Sequence, residues 1–268
     1  WIITILAALL TVASFVYLVL YILIKGVPYL RPELFSWTYD SNNVSMLPSI
    51  INTFLLTALS LVISVPLGIF AAIYMVEYAK KGNRMVKFIR VTAETLSGIP
   101  SIVYGLFGMI FFVGVLKMQL SLLSGSLTVA IMVLPTIMRT TEEALLSVSQ
   151  SYREGSFGLG AGKLRTVFRI VLPSAVPGIL SGVILATGRI VGETAALIYT
   201  AGTMAKVPNN LFASARTLSV HMYLLSNEGL HTNEAFATAV VLLVFVMLIN
   251  MLANFVARRL SAKNAEND

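Results

Sequence analysis

Arg189 and Glu193 stand four residues apart inside the apolar run Leu172 to Ile198. If that run is one helix, the spacing puts guanidinium and carboxylate on the same face. With the run centred near Leu185, Arg189 lies about 6 Å past the midpoint at 1.5 Å per residue. A charge at such depth costs about 2.5 to 3.5 kcal/mol even on the lenient insertion scale, so it must face protein or water and find a counter-charge. Two roles are open. One is a salt bridge that pins two helices. The other is a permanently charged planar fork that grips two oxygens of a passing oxyanion, with the carboxylate neutralising it at rest. Glu94 and Arg139 stand near the ends of neighbouring apolar runs, where they either pair across an inner vestibule or remain solvated at the interface.

Other chemistries lack their residues. The chain has no Cys, which excludes disulfides, thiolate metal sites and Cys nucleophiles. His221 and His231 are ten residues apart, not the i, i+4 spacing of a helical metal pair, and read as polar-interface or turn residues. No Ser/His or multi-His set falls inside the apolar runs, so an intramembrane enzyme has no support.

The elements that must hold Arg189 and Glu193 are membrane helices. Of 268 residues, 57% are hydrophobic and 12% charged, about half the charged share of soluble domains. Six runs reach the length a bilayer needs: Trp1 to Ile24, Leu47 to Val76, Thr95 to Leu116, Leu120 to Met138, Leu172 to Ile198 and Ala235 to Ala257. The fold class is therefore all-α and polytopic. The first run exceeds a signal-peptide core and is expected to be a retained helix. Since the chain opens on Trp1, an upstream piece is expected to be missing.

With both termini cytoplasmic, the inner segments carry the clusters Lys80 to Arg90, Arg139 to Arg169 and Arg258 to Lys263. The outer segments then hold only Lys25, Arg31, Lys117, Lys206 and Arg216. The positive-inside bias selects this orientation and explains the net charge of +7 without nucleic acid. The outer stretches Lys25 to Met46 and Tyr199 to Glu234 are too short to be domains and suit a docking surface. Ser261 to Asp268 reads as a frayed tail.

The inner segment Arg139 to Val171 is long and helix-compatible, with Thr141 expected as an N-cap ahead of Glu142 and Glu143. Its second half runs Arg153-Glu154-Gly155-Ser156-Phe157-Gly158-Leu159-Gly160, then nine residues, then Ile170-Val171-Leu172-Pro173. A charged helix, a glycine and an amphipathic segment make a helix-turn-helix that a cytoplasmic partner can hold. Here the chain resembles the permease subunits of ABC importers, whose coupling loop reads E-A-A, three residues, G, nine residues, I, one residue, L-P. Glu154, Gly160, Ile170, Leu172 and Pro173 fall at every spacing, with Gly155 and Ser156 in place of the alanines.

Further strings resemble the phosphate branch of that family: Pro135 to Ala144, Gln150 to Glu154 and Gly188 to Ala195. Thr95 to Gly105 and Glu234 to Ala239 resemble its PstA type rather than PstC. The resemblance implies a type I ABC importer permease fold and a plasma (inner) membrane location. It also implies a PstC-like sister permease, two PstB-like ATPases and an external phosphate-binding protein. It assigns ATPase coupling to Glu142, Glu143, Arg153, Glu154, Gly160, Lys163 and Arg165, and transport to Arg189 and Glu193. A protonated phosphate oxygen could donate to Glu193, a donor that sulfate lacks. An importer of molybdate or sulfate, and an ion-coupled carrier, remain as alternatives.

No Walker A loop is present. The nearest string, Gly158-Leu159-Gly160-Ala161-Gly162-Lys163-Leu164, has Phe157 at the leading glycine position and Leu164 at the Ser/Thr position. The chain is thus expected to need no cofactor of its own, with ATP and Mg bound by partner subunits. Gly188 and Gly192, and Gly178 and Gly182, give two G-x-x-x-G faces suited to close contact with the sister subunit.

Overall fold

The computed structural model describes residues 1–80 and 82–265, with side chains through Phe255. No strand occurs among the described residues. Helix α1 (Ile2–Gly26) leads through two short 3-10 turns to α2 (Leu47–Ile73), which runs on into a π-helical turn, Tyr74–Tyr78. Next come α3 (Arg84–Ser97) and α4 (Ser101–Gly108), the latter extended by Met109–Val115. Helix α5 (Leu122–Ser147) is followed by α6 (Gln150–Gly158). Then α7 (Lys163–Thr166) passes through a π-helical turn, Val167–Val171, into α8 (Leu172–Gly192). The chain closes with α9 (Ala195–Ile198), α10 (Leu218–Glu228) and α11 (Thr232–Ala265).

Side chains set several of these starts. Asn83, Ser121, Ser149 and Thr217 each accept a hydrogen bond from a first-turn N–H of α3, α5, α6 and α10. Gly229, at φ +73°, ends α10 in the left-handed conformation that glycine adopts without strain. Five helical segments are long and apolar enough to cross a membrane. The pair α3 and α4 with its extension reaches that length only when taken together, and the two are bent by 105°.

Helices α2, α5 and α8 form the centre, around buried Leu56, Val129, Met132, Val133, Ile137, Ala186 and Ile190. Small residues bring them together. A Cβ on Gly68 would meet Ile137, one on Gly178 would lie 2.6 Å from the Ala144 methyl, and one on Gly182 would collide with Thr140 Oγ1. Helix α1 lies at the rim and touches α11 through Gly26 and the Tyr21–Phe236 ring contact.

Four sequence expectations are corrected here. The third run does not start at Thr95: α3 enters it from Arg84, and the chain turns at Gly98-Ile99-Pro100, where the proline stops α3. The fourth does not stop at Met138, and Thr141 is no N-cap. Helix α5 continues to Ser147 with Thr141 fully buried in its middle. The fifth ends at Gly192, and α9 is a separate turn. Finally, the outer stretches keep exposed side chains such as Trp37, Met204 and Leu230 but are anchored to the body. Asn52 donates to the carbonyls of Lys206 (2.9 Å) and Arg216 (3.1 Å), the Leu218 N–H donates to Thr53 Oγ1, and Leu34, Val44, Met46, Leu218 and Leu225 share a core. Of the expected inner cations, Lys81, Arg258, Arg259 and Lys263 fall outside the described side chains, and the tail's last three positions, 266–268, lie outside the described residues.

Candidate functional site

The segment expected to couple to an ATPase is a clamped hairpin. Arg153, expected at a partner surface, is instead buried beneath α6. Its Nε and Nη2 donate to Glu77 Oε1 at 3.1 and 2.7 Å, Nη1 donates to the Val148 carbonyl, and Nη2 also donates to Leu145. One guanidinium thereby fastens α6 to the last turn of α5 and to the π-helical end of α2. Glu77 was missed by sequence reasoning. Lys80 and Lys81, three and four residues on, are the nearer counter-charges in the sequence, so nothing local pointed from Glu77 to Arg153.

Across the hairpin, Ser156 and Thr166 hydroxyls meet at 2.8 Å. The small residue at a family alanine position is therefore also a hydrogen-bonding lock between α6 and α7. Gly160, at φ +81°, makes the turn, a conformation costly to any residue with a Cβ. Glu154, Gly160, Lys163 and Arg165 are exposed around Leu159 and Leu164, which are 91% and 66% accessible. Lys163 Nζ also sits 5.3 Å from the centroid of the Tyr78 ring.

Glu94 and Arg139 come together, but not as an ion pair. Both line a cavity of about 390 Å³ between α3, α5 and α8, with Arg90, Glu142 and Glu143. Arg139 Nε bonds Glu143 Oε1 one turn along its own helix at 3.1 Å, and Arg90 pairs with Glu142. The cavity wall thus has two ion pairs joining and flanking α3 and α5, with the Glu94 carboxylate beside them. Glu142 and Glu143 are cavity residues rather than part of the hairpin surface.

Leu185, exposed on α8, also lines this cavity, and Arg189 follows it one helical turn on. Arg189 is half-buried and has no hydrogen-bond or ion-pair partner among the described residues. It stands within electrostatic reach of Tyr104, whose hydroxyl donates to the Leu96 carbonyl at 2.7 Å. The expected pairing with Glu193 is corrected. Because α8 ends at Gly192, Glu193 adopts extended backbone (ψ 130°) and leaves the face that Arg189 occupies. Its buried carboxylate turns forward and accepts the Ala196 N–H at 3.0 Å, serving an otherwise unpaired donor of α9. Ser219 holds its carbonyl at 2.6 Å.

The glycine faces of α8 divide. Gly178 and Gly182 are used up against α5 of the same chain, so that pair does not face a sister subunit. A Cβ on Gly188 or Gly192 would meet nothing within 4 Å. An open strip therefore runs from the charged cavity past Leu185, Gly188 and Arg189 to Gly192.

His221, read as an interface or turn residue, is fully buried, its ring edge-on to Tyr39 at 6.1 Å. Its pKa is lowered from the usual 6.5 to about 3, chiefly by burial and further by the Arg216 charge, with the nearby Val44 backbone opposing both. Arg216, also buried, places its guanidinium 4.5 Å from the centre of the Tyr39 ring. His231 lies 3.9 Å from Glu234, apart from this cluster. No group of three or more potential metal ligands exists among the described residues.

Comparison with known proteins agrees with this architecture. Residues 64–265 match the family described as binding-protein-dependent transport system inner membrane component. The chain is 33% identical to the probable ABC transporter permease protein YqgI of Bacillus subtilis, over 98% of this chain and 95% of that protein. It is 35% identical to the phosphate transport system permease protein PstA 1 of Mycobacterium tuberculosis strain H37Rv, over 74% of this chain and 66% of that one. Among solved structures, the bacterial alginate ABC transporter in complex with its pentasaccharide-bound periplasmic protein matches with a TM-score of 0.70. That match has 18% identity over 96% of this chain and 95% of that one. The inward-facing MetNI methionine ABC transporter gives 0.62 at 20% identity, over 80% and 94%. This chain belongs to the family of inner-membrane components of binding-protein-dependent transport systems, as a PstA-like ABC permease.

Proposed function

We propose that the chain is half of the translocation pathway of an ATP-driven phosphate importer. The observation that carries the reading is Arg189: a permanent cation, half-buried at membrane depth, without a carboxylate partner, on an open strip above a charged cavity. A guanidinium left unpaired at that depth carries an uncompensated desolvation cost, which an oxyanion held by two N–H donors offsets. Phosphate as the substrate is supported by the PstA-named relatives. Glu193 is assigned a positioning role, ordering the break between α8 and α9 beside Arg189, in place of resting neutralisation.

On this reading a PstC-like permease covers the open strip of α8, and two PstB-like ATPases bind ATP and Mg. Their surface engages the α6–α7 hairpin around Glu154, Leu159 and Leu164. Movement of the hairpin passes through the Arg153–Glu77 clamp to α2 and α5, turning the permease pair between outward and inward states. An external phosphate-binding protein delivers the anion, with both termini cytoplasmic.

The test is labelled phosphate uptake by vesicles holding the chain with its copurifying partners, with and without ATP and with sulfate as competitor. ATP-dependent uptake indifferent to sulfate is expected. Uptake driven by an ion gradient alone overturns the reading, and ATP-driven transport of another anion discards phosphate. Arg189→Lys, which keeps the charge and loses the fork, is expected to slow uptake about tenfold; an unchanged rate removes the bidentate argument.

A further inference from the structure

We propose that α3 is an interfacial helix that binds anionic phospholipid through Arg84 and Lys87, together with Lys80 in the turn before it, with Phe88 as its anchor. The helix has two unlike faces. Val86, Ile89 and Ala93 pack into the core beside α5, while Arg90, Glu94 and Ser97 line the charged cavity. The opposite face presents Met85, Phe88 and Val91, which are 63%, 71% and 53% accessible. Arg84 precedes Phe88 by one turn and Lys87 precedes Val91 by one turn, so the exposed cations share the face of the exposed apolar strip, toward its N-terminal end.

Three observations commit this surface to lipid. First, α3 meets α4 at 105°, so when α4 and its extension run along the bilayer normal α3 lies close to the membrane plane. Second, large apolar side chains with cations one turn along the same exposed face are the pattern of a helix seated at the headgroup boundary, its apolar residues sunk among acyl chains and its cations at headgroup level. Third, the charges are sorted. The acids nearby, Glu94 and Glu142, lie on the cavity side, where Arg90 is already taken by Glu142, whereas Lys80, Arg84 and Lys87 are exposed and have no ion-pair partner among the described residues. Their complement is a negatively charged surface beside an apolar one, which an anionic leaflet supplies.

The consequence is mechanical. The Arg90–Glu142 ion pair joins α3 to the half of α5 that descends to the coupling hairpin. Lipid that holds α3 in the membrane plane holds one wall of the inner cavity through that pair.

Because the chain has no native Cys, Phe88→Cys places one bimane label on it without other substitutions. The full chain is labelled, assembled with the partners it copurifies with, and reconstituted with brominated phosphatidylglycerol or brominated phosphatidylcholine at equal mole fraction. Phosphatidylglycerol is expected to quench at least about threefold more effectively, the preference falling to near one in Lys80→Gln/Arg84→Gln/Lys87→Gln and in about 0.5 M salt. Equal quenching by both lipids reduces the face to ordinary bilayer contact and overturns the proposal. Absence of quenching by either shows that a protein partner covers Phe88, which overturns it as well. The readout is independent of transport, so the result stands whatever the substrate.

Discussion

Arg153 and Arg189 are handled by this molecule in opposite ways. Arg153 is buried at the foot of the hairpin with every guanidinium nitrogen engaged, by Glu77 and by two backbone carbonyls. Arg189 is half-buried on α8 and engages none among the described residues. A satisfied buried charge explains architecture, because its partners repay the cost of burying it within the chain itself. An unsatisfied one points outward, to whatever is still to arrive. Sequence position gave both the same look, an arginine with a glutamate close by.

The comparison breaks first at Arg153. Arg153→Ala leaves Glu77 buried without its cation and should cost about 3–5 kcal/mol. Thermal unfolding of the purified chain should show it, along with loss of ATPase-coupled uptake. If stability were unchanged, the clamp would be decorative and the two arginines not opposites. Arg189→Gln should do the reverse. Two charge-assisted hydrogen bonds to a passing anion, at about 1.5 kcal/mol each, correspond to roughly a hundredfold loss of uptake, with unfolding shifted by less than about 0.5 kcal/mol.

The same contrast recurs in the glycines of α8. Gly182→Val drives methyls into Thr140 and should destabilise the chain by about 1–3 kcal/mol, measured by thermal unfolding. Gly188→Val meets open space within the chain, so its stability should stay within about 0.5 kcal/mol, while association with the proposed sister permease should weaken.

His221 is a third way of handling charge in the interior: the ring stays neutral. Its folded pKa of about 3 lies below the unfolded 6.5, so between those values the unfolded chain binds the extra proton. The stability of the neutral ring is complete above pH 6.5 and declines as pH falls toward 3, by up to about 1.4 kcal/mol per pH unit. His221→Phe should flatten that slope in unfolding scans from pH 7 to 5; an unaltered slope assigns it to another group.

Much of this was legible in the residues, and the failures have physical causes. Apolar length found the spans, because a bilayer demands about 20 residues whatever their tertiary partners. The spacing from Glu154 to Pro173 located the hairpin, since Gly160 must turn there. Helix ends were misjudged where hydropathy and helicity part company. Helix α5 outlasts its apolar run because Glu142 and Glu143 find Arg90 and Arg139, so charge no longer signals an end. The reverse error occurred at Gly192, where apolar residues continue but the glycine and the carboxylate of Glu193 together stop α8 and start α9. The Arg189–Glu193 pair was inferred from a periodicity that ends one residue before Glu193. The Glu77–Arg153 clamp, 76 residues apart, has no local pattern to reveal it.

The smallest effect belongs to the ion pair most visible in the sequence. Arg139 and Glu143 satisfy the i, i+4 rule and do meet at 3.1 Å, yet their side chains are 66% and 63% exposed. Water already solvates both charges, and holding two long side chains in one geometry costs entropy, so the coupling in a double-mutant cycle of Arg139→Gln and Glu143→Gln should be no more than about 0.5 kcal/mol and shrink with salt. A coupling of 2 kcal/mol or more, roughly that of a desolvated charged hydrogen bond, would mean that the cavity wall is closed to water in the assembled transporter. Arg139 would then belong with Arg153, among the charges the structure spends on itself, and the cavity would be a sealed joint of α3 and α5 in place of a vestibule.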